Sequence, residues 1–285
     1  MEFAKVGAGS FAALGVGAVL AVILPVGLAA LWCRKKKEPV WVVLIGAATF
    51  LLFALVLEKP LQSLLIFPTQ LGMKEHAASQ FINARPLLLA FLTALFPGVF
   101  EETGRLVAYK TVLRRRRNRE TGLSHGIGHG GFEALYILGA TYAAYIVYAV
   151  MINAGSFGAV VDKVAAQAPE QLEAVYATAE QIAAVTFASV GLGFMERIFA
   201  VGFHIGASVL VFYACRDRER FWLYPLAVAL HTAMDFVAAL YVFKLAAIST
   251  FLLEVIVAVF GIAVFCCAYF LLYRRDANRT GAELT

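Results

Sequence analysis

The sequence predicts an all-α fold. It reads as a polytopic membrane helical bundle of about seven transmembrane helices, with the N-terminus out and the C-terminus in, forming a single integral membrane domain over residues 1–285. Three observations carry this expectation. Of the 285 residues, 61% are hydrophobic and only 15% charged, against roughly 25% charged in soluble domains. Mean hydropathy is +0.79. Apolar runs close to the ~20 residues that cross a bilayer recur along the chain, divided by short basic clusters.

The first span is read over 8–33. It is too long for a signal-peptide core, lacks a basic leader and ends in Cys33 and the Arg34 to Lys37 cluster, a stop-transfer flank. Pro25 can kink it. The second span covers 39–57 and the third 86–113, where "FPGVFEE" can break the helix at Pro97–Gly98. Spans four to seven cover 125–153, 183–214, 221–243 and 250–273. Two outer connections stand out. Residues 58–85 contain "PLQSLLIFP", apolar but too short to span, which is expected to lie in the interface or re-enter. Residues 154–182 are rich in Ala, Glu and Gln and predict a helix outside the membrane. Both read as connecting structure, with a lid over a site as the sharper alternative.

Orientation follows from the basic residues. With Arg34 to Lys37 placed inside, the inner segments hold 16 of the 24 Lys and Arg and the outer segments 6, while Arg105 and Arg197 lie within spans. That bias sets the N-terminus outside. The net charge of +5 then reflects topology and an anionic inner leaflet. Nucleic acid is excluded as a partner, because the basic residues are short caps on spans without interleaved aromatics. The four cysteines lie in spans or at their inner ends, so no disulfide is expected.

Against this apolar background, ionisable residues gather in four spans. Span three carries Glu101, Glu102 and Arg105, and span four carries His125, His129 and Glu133. Span five carries Glu196, Arg197 and His204, and span six carries His231 and Asp235. At 1.5 Å rise per residue, Glu102, Glu133, His204 and His231 lie at similar depths, roughly 13–18 Å from the inner boundary. His129 and Glu133, His231 and Asp235, and Glu101 and Arg105 are each i,i+4, and Arg197 and His204 are seven apart, two turns on along one face, so every helix presents a narrow polar stripe. A charge at mid-span costs about 3 kcal/mol on insertion scales, which facing stripes offset by pairing. Interhelical ion pairing alone explains Arg105 and Arg197, each with a glutamate neighbour. It is an expensive way to join helices, since buried ion pairs seldom improve on apolar packing.

The chemistry available is hydrolysis. A carboxylate beside histidines in a low-dielectric site can hold and deprotonate water. Adjacent glutamates point about 100° apart on a helix. One can pair with Arg105 while the other faces the reacting water, and histidine can donate to an oxyanion.

"EETGR", "HGGFE", the isolated His204 and "HTAMD", in that order and each in its own helix, resemble the CPBP-type glutamic intramembrane protease superfamily. The resemblance covers residues 85–245 and is closest to YhfC-type proteins, with PrsW-type and CAAX-processing proteases also similar. It implies that Glu101 is the catalytic glutamate and Glu102 its neighbour. It also implies that Glu133, His204, His231 and Asp235 belong to the site, and Arg105 and His129, from the polar stripes, complete the candidate catalytic set. CAAX-processing proteases have one more residue between the glutamates and the arginine, and Phe four residues before the histidine. Here Ala200 holds that second position.

The expectation is therefore an intramembrane endopeptidase that hydrolyses a peptide bond of a membrane-embedded protein or peptide by glutamate-activated water. It would act as a multi-pass protein of the cell membrane, with the lipid bilayer as its other partner. A proton-coupled transporter and a non-catalytic scaffold of the same superfamily are the alternatives. No cofactor is required by this reading. Zinc is the metal alternative, with His129, His204, His231 and Glu133 as ligands, although the His-Glu-x-x-His signature is absent.

Overall fold

The computed structural model describes residues 3–276, which form helices and short connections with no strand among them. Among the described residues, seven helices are long and apolar enough to cross a membrane: Ala8–Lys36, Val40–Ile66, Pro86–Lys110, Glu120–Asn153, Phe187–Arg216, Arg218–Val242 and Thr250–Asp276. The protein is a multi-pass membrane protein. In chain order the α-helices are α1 (Ala8–Lys36), α2 (Val40–Phe50), α3 (Lys59–Ile66), α4 (Ala77–Asn83) and α5 (Pro86–Lys110). There follow α6 (Glu120–Asn153), α7 (Gly158–Gln167), α8 (Leu172–Ala183), α9 (Phe187–Arg216), α10 (Leu223–Val242) and α11 (Thr250–Ala268).

The second span is longer than the sequence suggests. "PLQSLLIFP" neither re-enters nor lies apart. Its first part is α3, joined to α2 by a π-helix over Leu51–Glu58. Pro60 lacks an N–H and its ring presses on the preceding turn. The wide π-turn just before it, closed by Lys59 N–H on the Ala54 carbonyl, carries the chain past the proline without a break. The helix outside the spans expected within 154–182 is present as α7 and α8.

Pro97 does not break α5, which runs unbroken through it. A proline in a helix frees the carbonyl four residues back, here that of Thr93. The Gln62 side chain on α3 donates to that carbonyl at 3.1 Å. Gly98 serves a different need: a Cβ there would strike the Thr232 hydroxyl and the Val228 carbonyl of α10. The "PG" pair thus marks close packing between spans, with the freed backbone group satisfied from a neighbouring helix.

The chain forms two compact units, with boundaries inside α1, α6 and α9. One comprises Met1–Gly27 and Ala134–Arg197. Its core is built on Leu14, Tyr142, Phe157 and Ile182. Asn153 ends α6 by clasping Val6, accepting from its N–H at 2.8 Å and donating to its carbonyl at 2.9 Å.

The other unit comprises Leu28–Glu133 and Ile198–Thr285 and is built around Val42, Phe203, Val211 and Ala227. Lipid supplies no hydrophobic drive for helices to associate, so close van der Waals packing must do it. Gly46 of α2 faces the His125 backbone, and Gly128 of α6 faces the Val43 backbone. A Cβ at either would overlap the opposing carbonyl. The two backbones therefore touch, and the histidines flanking Gly128 are drawn into the interior of this unit.

Candidate active site

Every residue of the expected site belongs to this second unit. Helix α5 supplies Glu101, Glu102 and Arg105, α6 supplies His129 and Glu133, α9 supplies His204, and α10 supplies His231 and Asp235. Glu102, Arg105 and His129 are fully buried, and Glu101 is 6% exposed. Glu196 and Arg197, also noted in span five, pair with each other in the other unit.

Arg105 organises the cluster. Its Nη1 donates to Glu102 Oε1 at 2.6 Å and its Nη2 contacts His204 Nδ1 at 2.7 Å. Glu101 Oε2 is 3.9 Å from the guanidinium. Of the two adjacent carboxylates, Glu102 is therefore the direct ion-pair partner. Glu102 Oε1 also receives His231 Nδ1 at 2.8 Å. Glu101 Oε2 instead receives His129 Nε2 at 2.8 Å.

These contacts assign tautomers. A guanidinium only donates, so His204 Nδ1 must be the acceptor. The proton of neutral His204 then sits on Nε2, which is bonded to Glu133. His231 donates from Nδ1 to Glu102, which leaves Nε2 facing Asp235 Oδ2 at 3.5 Å. The ring centroids of His204 lie 5.3 Å from those of His129 and 5.4 Å from those of His231. Gly130 makes this possible, because a Cβ there would press on His204 Cβ. All eight expected residues thus belong to one network, with Glu101 and His129 joined to the rest by the 3.9 Å approach of Glu101 to Arg105.

Two features escape the sequence reading. Thr49, His125, Ser208 and Tyr109 form a buried chain, with His125 Nε2 3.2 Å from Thr49 and His125 Nδ1 2.9 Å from Ser208, itself 2.8 Å from the Tyr109 hydroxyl. No spacing rule links such residues across four helices. The second is Glu58, fully buried at the end of the π-helix and within Coulombic reach of Asp235 and His231. Lys59 Nζ stands 3.6 Å from it, and neither of its carboxylate oxygens has a hydrogen-bond partner among the described residues. Hydropathy placed Glu58 at the start of a loop. The one available signal was that a short polar step precedes a further apolar run.

A metal would find suitable donors. Ligand atoms of Glu101, His204 and His231 all lie within 4.8 Å of one another. Two imidazoles and a carboxylate are a common catalytic zinc set. Glu102 behind His231 is the carboxylate backing usual for a metal-bound histidine. This triad takes Glu101, where the sequence pointed to Glu133, and does not include His129. The residues fit in donor type. To coordinate, His204 must release either Arg105 from Nδ1 or Glu133 from Nε2.

The fold and the cluster together define a polytopic membrane protein with an ionisable centre buried among its spans, the class that includes intramembrane proteases. More particularly, the chain belongs to the YhfC intramembrane metalloprotease family, whose model matches residues 20–257. It is also similar to a Bacillus subtilis (strain 168) protein described as uncharacterized membrane protein YhfC. The two are 32% identical over 235 residues, covering 80% of this chain and 83% of that relative. No solved structure matches it.

Proposed function

We propose that the protein is an intramembrane endopeptidase in which Glu101 activates the attacking water. The observation that carries this reading is the division of labour between the paired glutamates. Glu102 is fully buried and bound by Arg105 and His231, whereas Glu101 retains some exposure and is held through one oxygen by His129. A carboxylate that is oriented but not neutralised by a direct ion pair is suited to general-base work.

The residues then act as follows. Glu101 takes a proton from water as the water oxygen bonds to the scissile carbonyl carbon. The carbonyl π-electrons move to its oxygen, where His231, when protonated at Nε2, donates to the oxyanion. The C–N bond breaks and Glu101 returns the proton to the leaving amine. His129 fixes the base, and Glu102 fixes His231. Arg105 balances the carboxylates and sets the His204 tautomer.

Zinc supports a second form of the same reading, favoured by the Glu101, His204 and His231 donor set. Held by those residues, it would polarise the carbonyl and lower the pKa of water. The glutamate-only form is preferred because the Arg105 guanidinium already occupies His204 Nδ1 and would repel a dication beside it.

The test is cleavage of transmembrane peptides by the purified, reconstituted protein and by Glu101→Gln. Cleavage by the wild type and none by a folded Glu101→Gln is expected. Equal cleavage by both would remove Glu101 from the chemistry.

A further inference from the structure

A second site lies away from the buried cluster, where α5 ends. The end of α5, the segment 111–117 that follows it and the end of α9 line an open pocket of about 200 Å³. Five cations line it, Lys110, Arg114, Arg116, Arg117 and Arg216, and none of its lining residues is acidic. Buried Tyr109 is also part of its wall.

The cations are not equivalent. Arg116 is held by Glu38, and Arg216 is held by Asp276. Among the described residues, Lys110 Nζ donates to a carbonyl, that of Cys215 at 3.2 Å, and has no acidic partner. Arg114 and Arg117 are exposed and have no acidic partner among the described residues. Two cations are therefore fixed by carboxylates while three retain uncompensated charge around one concavity. Like charges so close repel, and an anion between them would relieve that repulsion.

The surroundings suggest the form of the anion. Val107 and Val112, beside the cations, are 41% and 59% exposed. Apolar side chains facing outward at the end of a membrane span meet acyl chains, and the basic rim lies where headgroups lie. The volume is below the ~300 Å³ typical of sites that enclose whole small molecules. It suits a phosphate group whose remainder lies outside.

We propose that this pocket binds the phosphate of an anionic phospholipid headgroup, with Arg114, Arg117 and Lys110 as its ligands. The shared chemistry is a phosphate ester, and the exposed valines favour the lipid over a soluble ester as its source. The site is independent of the proteolytic reading, because none of its residues belongs to the cluster around Arg105.

The full chain in neutral detergent is titrated with phosphatidylglycerol and, separately, phosphatidylcholine, and bound lipid is counted by native mass spectrometry. The wild type should retain phosphatidylglycerol in preference to phosphatidylcholine. The double variant Arg114→Gln, Arg117→Gln should bind phosphatidylglycerol about 30-fold more weakly, from the energy of two surface cations near an anionic headgroup. Arg114→Lys with Arg117→Lys should restore most of the binding. Both positions are exposed, and thermal unfolding checks that each variant folds. Equal retention of the two lipids, or unchanged binding in the glutamine variant, would overturn the proposal. A third arm uses inorganic phosphate as competitor. Displacement at equal concentration would assign the site to soluble phosphate and overturn the lipid source.

Discussion

Arg105 and His204, 99 positions apart in sequence, are joined by a 2.7 Å contact between Nη2 and Nδ1. Because the guanidinium only donates, this contact fixes which imidazole nitrogen carries the proton. The same arginine holds Glu102 with Nη1 at 2.6 Å. One buried side chain therefore holds a carboxylate and fixes the tautomer of a histidine on another helix.

Arg105→Leu should destabilise the protein by about 3–5 kcal/mol, the usual cost of leaving one partner of a buried pair unmatched. Arg105→Lys should be milder in stability but should not restore function, since an ammonium lacks the fork that reaches two acceptors. The specific readout is the side-chain ¹⁵N spectrum of His204. The wild type should show a protonated Nε2, and both variants should show a mixture of tautomers. An unchanged His204 spectrum in Arg105→Leu would refute the positioning role.

Glu101→Gln and Glu102→Gln should separate chemistry from stability. Losing a general base lowers the rate by about 10²–10⁴-fold, so Glu101→Gln should lose cleavage with little change in melting temperature. Glu102→Gln removes the anion facing both Arg105 and His231 and should lower the melting temperature more. If Glu101→Gln is the less stable of the two, the roles assigned here are reversed.

Exhaustive chelation should leave peptide cleavage and the melting temperature of the purified protein unchanged. Metal analysis of the untreated protein should find less than one zinc per chain. Loss of activity that added zinc restores would make His204, now bonded to Arg105 and Glu133, a metal ligand instead.

Much of this was legible in the sequence because the membrane makes polar residues conspicuous. Glu101, Arg105 and His204 stand out from apolar neighbours, and i,i+4 spacing puts Glu101 and Arg105 on one face without any structure. Glu58 was not legible. It precedes Pro60, which reads as a helix end, and only the π-turn that absorbs the proline shows that the span continues. The chain from Thr49 to Tyr109 was hidden for another reason: it links single residues on four helices, and no local pattern records such a meeting. Pro97 misled in the opposite direction, because the group that rescues Thr93 lies 31 positions away.

We propose that the segments 34–37, 110–119 and 216–220 face the cytoplasm, from the excess of Lys and Arg they carry. A tag at position 165, in α7, should then be labelled on intact cells. Labelling only after permeabilisation would invert the orientation.

The pairing of Gln62 with Pro97 makes a sharper prediction about the fold. Gln62 is buried, and its amide donates to the Thr93 carbonyl that Pro97 leaves without a backbone partner. Gln62→Leu keeps the volume and removes the donor. It should cost about 1–3 kcal/mol, the penalty for an unsatisfied buried polar group. Pro97→Ala supplies an N–H that can take the same carbonyl within α5. In that background the cost of Gln62→Leu should fall to near zero, giving a coupling energy between the two sites of similar size. The measurement is a double-mutant cycle on thermal or denaturant unfolding in detergent. Additive effects would mean that Gln62 stabilises α3 for some reason other than the proline. Strong coupling would show that "FPG" stays helical because a neighbouring span supplies the hydrogen bond that proline cannot make.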